Sequence, residues 1–150
     1  MIYPILVAVL LHSWQGNFAC KEANKYNLCY TAQAIMIEES SVCKYIWGDD
    51  GKSLGCMQIS LAATRRVFPS YPREAWKALA TEDALNISVG ISYLNWCVNQ
   101  MGSWARGVVC YNTGPTFARS LTPWQVWHFP YLIAVTNYVR ILEAKEPGMK

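Results

Sequence analysis

Apolar residues recur at three- and four-residue spacing along most of the chain, the period that turns one face of an α-helix toward a core. Residues 32–40, "AQAIMIEES", carry this spacing, with Thr31 placed to cap them. "KEANKYN" before them reads as a short helix, and "MQISLAATRRVF" as a longer one that stops before Pro69. "YPREAWKALA" opens with Pro72, which suits a first helical turn. Thr81 is a candidate cap for "EDALNISVGISYLNWCVNQM", with Gly102 closing that helix. "SWARGVVCYNTG" ends at Gly114-Pro115, and "PYLIAVTNYVRILEAK" is the last helix before a polar tail, "EPGMK". The period breaks at "WGDDGKSLG", where Asp50-Gly51 is a strong hairpin-turn signal. The expected fold is mainly α, one helical domain with a small hairpin.

Length and composition narrow this picture. At 150 residues the chain has material for one domain, and at 53% hydrophobic, with seven Trp and nine Tyr, for one aromatic-rich core. A formal charge of +3 with scattered Lys and Arg lacks the footprint of a nucleic-acid binder; Arg65-Arg66 is the only basic doublet. "MIYPILVAVLLHSW" carries no charged side chain and is too short to span a bilayer, which takes roughly 20 residues. It resembles the apolar part of a secretory signal, so residues 1–19 are expected to be a targeting segment and residues 20–150 the domain. No Lys or Arg precedes the apolar run, and the alternative is a first core element.

Six cysteines, an even number, follow this start: Cys20, Cys29, Cys43, Cys56, Cys97 and Cys110. They suggest an oxidising compartment, periplasmic or extracellular, and up to three disulfides. Cys29 and Cys43 flank a helix about 15 Å long, farther apart than a disulfide reaches, and should not pair with each other. Buried free thiols are the alternative. There is no C-x-x-C pair, and His12 and His128 are the only histidines, so neither a metal site nor a cofactor is expected. "GDDGKS" lacks the acid spacing of a calcium loop and the glycine spacing of a phosphate loop.

Glu38 and Glu39 close the apolar run of residues 32–37. Glu39 continues the Ala32, Ile35, Met36 stripe, whereas Glu38 reads as solvent-facing or supporting. A carboxyl desolvated by Ile and Met, at a helix C-terminus, holds its proton above the ordinary carboxylate range. That is what a general acid working near neutral pH requires. A helix-end carboxylate in an ordinary salt bridge is the alternative.

Read together, four segments resemble the lytic transglycosylase family of the lysozyme superfamily. They are Glu39-Ser40; Gly55-Cys56-Met57-Gln58-Ile59; Asn86 with Gly90, Tyr93 and Leu94; and Cys110-Tyr111-Asn112-Thr113-Gly114. Each is weak alone; their order over residues 20–115 is distinctive. The chain resembles in particular the small secreted members found with secretion systems and phage particles. Cys56, Cys110 and Thr113 depart from the usual Leu, Ala and Ala, and Ala134 stands where the last helix of the family carries Glu.

The resemblance implies a lysozyme-like α+β fold with the hairpin beside the active-site cleft. It implies cleavage of the β-1,4 bond between N-acetylmuramic acid and N-acetylglucosamine in peptidoglycan strands. One glutamate, Glu39, would serve first as acid and then as base while the substrate's own 6-hydroxyl closes a 1,6-anhydro ring. Ser40, Gln58, Tyr111 and Asn112 are the implied substrate contacts, and Gly55, Met57, Tyr93 and Gly114 the implied framework. Tyr111 and Gln58 could instead be structural. Trp47, Trp104, Trp124 and Trp127 are either sugar-stacking faces or core. One rival is a hydrolytic muramidase using Asp49 or Asp50 as a second carboxylate. A rival of another class is a silent peptidoglycan-binding part of a phage tail or secretion machine.

Overall fold

The computed structural model describes residues 3–146. The residues of the polar tail beyond Glu146 lie outside the described part. Ten α-helices and a three-stranded antiparallel sheet are present among the described residues. The mainly helical, lysozyme-like class expected from the sequence is what the chain forms.

The centre of the body is α3 (Cys29–Ser40). It packs on α2 (Trp14–Asn24) and on the last helix, α10 (Pro130–Lys145). Every residue from Thr31 to Ile37 is buried. A helix apolar all round belongs inside a protein, so the two stripes read from the sequence are both core. Only in its last turn does α3 acquire faces: Glu38 is exposed, Glu39 half-buried and Ser40 buried. The helix starts three residues earlier than expected, and Thr31 is no cap. Its buried hydroxyl instead accepts a bond from the Trp104 indole N–H at 2.9 Å, tying α3 to α7 (Trp104–Thr113).

The hairpin forms where Asp50-Gly51 places it. β1 (Trp47–Gly48) pairs with β2 (Ser53–Leu54) through a 3-10 turn at Asp49–Gly51, and β2 pairs with β3 (Ile59–Ser60). β3 occupies residues expected to be helical. Helix α4 (Leu61–Val67) begins only after Ser60, whose hydroxyl caps it by accepting from the Ala63 N–H at 3.0 Å. The short α5 (Arg73–Trp76) has Pro72 at its N-cap, and a 3-10 turn over Lys77–Ala80 follows. α6 (Asp83–Met101) starts after Glu82 rather than at a Thr81 cap, and Gly102 closes it in the left-handed conformation. α7 has its Ser103 cap and stops at Gly114. Two short helices were not legible in the pattern, α8 (Pro115–Ser120) and α9 (Pro123–Trp127). Each has too few turns to show a period, and each begins on a proline.

Residues 3–19 form α1 (Tyr3–Leu11) and the first half of α2, so position 19/20 falls inside a helix. Val7, Leu10 and Ala19 are fully buried, whereas Ile5 and Val9 are exposed. The carbonyl of Gly16 accepts a bond from the buried Gln33 amide at 3.0 Å. No helix among the described residues is long and apolar enough to cross a membrane.

All six cysteines are paired, Cys20–Cys29, Cys43–Cys56 and Cys97–Cys110. Cys29 and Cys43 are not partners, as the length of α3 requires. The bridges join α2 to α3, the turn after α3 to the loop after β2, and α6 to α7. Denaturing the purified protein without reductant should therefore expose no reactive thiol in a chromogenic titration. Reduction first should expose all six.

Candidate active site

The loop from Gly55 to Gln58 leaves the sheet and runs through the interior, with Gly55, Cys56 and Met57 buried. Backbone polar groups in such a place need partners, and three helices supply them. From α6, the Asn86 side chain accepts from the Met57 N–H at 2.8 Å and donates to the Leu54 carbonyl at 2.7 Å. From α7, the Tyr111 hydroxyl donates to the Met57 carbonyl at 2.7 Å. From α3, the Ser40 hydroxyl donates to the Cys56 carbonyl at 2.6 Å and accepts from the Cys43 N–H at 2.8 Å. The Cys43–Cys56 disulfide doubles that last connection.

Two glycines make the approach possible. Gly55 has φ +79°, and a Cβ there would strike the Asn86 side chain. A Cβ at Gly90 would lie 2.7 Å from the Met57 side chain, which rests directly on the α6 backbone.

In front of this loop lies an open cleft of about 710 Å³. Its walls are the hairpin turn (Asp49–Ser53), α4 with Arg66, and the end of α7 with Asn112 and Thr113. Of the residues singled out in the sequence, Glu39, Gln58, Tyr93, Tyr111, Asn112 and Gly114 line it. Gln58 holds left-handed backbone (φ 48°), and its amide donates to the Gly55 carbonyl at 2.9 Å and the Tyr45 carbonyl at 3.2 Å. Tyr93 packs between Tyr111 and Trp96, with ring centroids 5.5 and 5.8 Å away.

Ser40, Gly55 and Met57 stand behind the cleft rather than in it. For Ser40 this is a correction. It is 1% exposed and its hydroxyl is consumed by backbone groups, so it positions the end of α3 and does not meet substrate. Trp47, Trp124 and Trp127 are exposed but outside the cleft lining, and Trp104 is half-buried with its N–H bonded to Thr31.

Glu39 reaches the cleft from the end of α3. Burial pushes its carboxyl up to about 7, helped by the negative charges of Glu38 and Asp49 and opposed by one hydrogen bond. That bond comes from the Tyr131 hydroxyl, which donates to Glu39 Oε1 at 2.6 Å. Burial, and then the Glu39 charge, hold the Tyr131 phenol well above its ordinary range, so it stays a donor. One carboxyl oxygen is thus fixed. Tyr131 was missed in the sequence: Pro130 marks a helix start, but nothing local says that the next residue reaches a glutamate 92 positions away. Glu38 is exposed; partial burial raises its carboxyl too.

A carboxyl whose pKa is raised to about 7 and which lines an open cleft has the properties that general acid catalysis near neutral pH requires. The transglycosylase SLT domain model matches residues 17–122, and the chain belongs to that family. At the level of the family this means lytic-transglycosylase-type cleavage of peptidoglycan. No curated protein and no solved structure matches the chain. Tyr131 lies beyond the matched stretch.

Two outcomes follow from the Glu39 environment. The Tyr131 bond favours the carboxylate, so Tyr131→Phe should raise the Glu39 pKa. The alkaline limb of the kcat/KM profile should move to higher pH, with turnover about ten-fold lower from lost positioning. The second concerns stability. The folded value, about 7, lies above the 4.5 of an unperturbed glutamate. The favourable contribution is therefore complete below pH 4.5 and lost as pH rises through 7. Glu39→Gln should leave unfolding free energy nearly unchanged at pH 4. At pH 8 it should raise it by about 1–3 kcal/mol in denaturant titrations.

Proposed function

We propose that the protein is a lytic transglycosylase in which Glu39 alone performs acid and base catalysis on the bond from N-acetylmuramic acid to N-acetylglucosamine. The observation that carries the reading is the Tyr131-anchored Glu39 carboxyl lining an open cleft, its pKa raised to about 7 by burial. Glu39 gives its proton to the bridging oxygen as the bond to the anomeric carbon breaks. The muramoyl 6-hydroxyl then bonds to that carbon and returns its proton to Glu39. The products are a new 4-hydroxyl and a 1,6-anhydro end, with no water consumed. Gln58 and Asn112, whose side chains border the cleft, are the proposed sugar contacts; Tyr111 and Tyr93 form its wall.

One observation favours the hydrolytic alternative enough to test it. Asp49 lines the cleft and its charge is felt at Glu39, whereas Asp50 is not among the groups acting on that carboxyl. A second carboxylate would have to stand about 5–9.5 Å from the acid to serve as nucleophile or base. Asp49 instead sits in the hairpin turn and accepts a bond from the Ser53 hydroxyl at 2.9 Å, a turn-closing role.

The same proposal places the protein in the periplasm or outside the cell, with residues 1–19 as its targeting segment. Three disulfides and the apolar run of residues 5–11 support this. Local wall opening for a phage particle or secretion machine is the proposed setting, carried by the resemblance to small secreted members of the family.

Mass spectrometry of a peptidoglycan digest tests the reaction. Anhydromuropeptides are expected; reducing ends would establish a muramidase, and no release a silent binder. Glu39→Gln should lower turnover at least 10³-fold with the fold intact, consistent with losing general acid–base catalysis. Glu38→Gln should keep most activity. Asp49→Asn and Asp50→Asn, singly or together, should cost only a few-fold. A loss approaching that of Glu39→Gln in either would make the two-carboxylate muramidase the better reading.

A further inference from the structure

The cleft is electrically lopsided. Its hairpin wall holds Asp49 and Asp50 against one cation, Lys52, so that wall is negative on balance. A separate part of the lining, α4, presents Arg66. Arg66 is exposed, and its guanidinium lies 5.7 Å from the centre of the Trp96 ring. It has no carboxylate partner among the described residues. Its positive charge is felt by the Tyr93 hydroxyl but is not among those acting on Glu39. Its neighbour Arg65 is spent differently, donating through Nε to the Tyr71 carbonyl at 3.1 Å, and does not line the cleft.

A guanidinium over an indole ring, lining a cleft and without a carboxylate partner among the described residues, is available to a carboxylate. The sugar rings of a peptidoglycan strand are uncharged. Its carboxylates are on the branch at the muramoyl 3-position: the lactyl group's own when bare, or those of the attached peptide. We infer that Arg66 takes a carboxylate of this branch, so that the branch leaves the cleft over α4 and away from the hairpin. This rests on the cleft being a peptidoglycan site, as proposed above. Repulsion from Asp49 and Asp50 disfavours a carboxylate on the hairpin side, so the two parts of the lining act toward one orientation of the strand.

Binding to the Glu39→Gln protein tests this without turnover. Three ligands separate the sources: a neutral N-acetylglucosamine oligosaccharide, strands stripped of peptide and so carrying free lactyl carboxylates, and peptide-bearing strands. Adding Arg66→Gln should weaken carboxylate-bearing ligands roughly five-fold, as for a solvent-accessible ion pair. It should leave the neutral oligosaccharide unaffected. The loss should shrink at high salt, and Arg66→Lys should recover part of it. Loss confined to stripped strands assigns the lactyl carboxylate; loss confined to peptide-bearing strands assigns the peptide. Arg65→Gln, the same charge change outside the cleft, should do nothing. Equal weakening of all three ligands would reduce Arg66 to packing on Trp96, and no weakening would also overturn the inference. If the Glu39→Gln protein binds none of the three, the peptidoglycan reading of the cleft fails and the role of Arg66 with it.

Discussion

A buried stretch of irregular backbone governs this molecule. Residues 55–57 follow a two-residue strand and carry their N–H and carbonyl groups across the interior outside any sheet or helix. Unmet, such groups cost on the order of 1–3 kcal/mol each. Asn86, Tyr111 and Ser40 meet them, one from each of three helices, and a disulfide from Cys43 fastens the same loop. This explains why four short motifs far apart in the chain occur together. They are the donors, the acceptor and the glycine clearances of one packing problem.

The position of Glu39 follows from that solution. It lies one residue before Ser40, whose hydroxyl anchors the end of α3 to the loop. The next three residues, Ser41, Val42 and Cys43, all hold left-handed backbone, an unfavourable run for non-glycine residues and more so for a β-branched valine. The Cys43 disulfide and the Ser40 bond to the Cys43 N–H hold that turn in place. The helix is thereby stopped sharply, with Glu39 facing the cleft and Glu38 facing solvent. Backbone strain beside Glu39, held by a disulfide and a hydrogen bond at Cys43, restricts where its carboxyl can point.

The electrostatics are set by the same architecture. Burial raises the carboxyl, nearby acids raise it further, and one phenol restrains the rise so that it rests near neutrality. That phenol arrives on α10, outside the stretch that matches the family model, so the chain completes its site with an element of its own C-terminal region.

Much of the helical order was legible because its signals are local. Gly102 and Gly114 end helices, Asp50-Gly51 turns the hairpin, and the apolar period marks α6, α7 and α10, each decided within about four residues. Glu39 was legible for the same reason, as a carboxyl continuing an apolar run. The register of caps was less so. Thr31 and Thr81 have a cap's chemistry, but Thr31 is drawn into the core by Trp104, and α6 begins later than Thr81. What only the tertiary structure decided are the contacts between helices. It chose one of several cysteine pairings, turned Ser40 from a substrate contact into a brace, and brought Tyr131 to Glu39 across 92 positions. Sequence spacing fixes which side chains share a face of one helix. Which faces meet depends on how α3, α6, α7 and α10 close around a loop whose backbone must be satisfied.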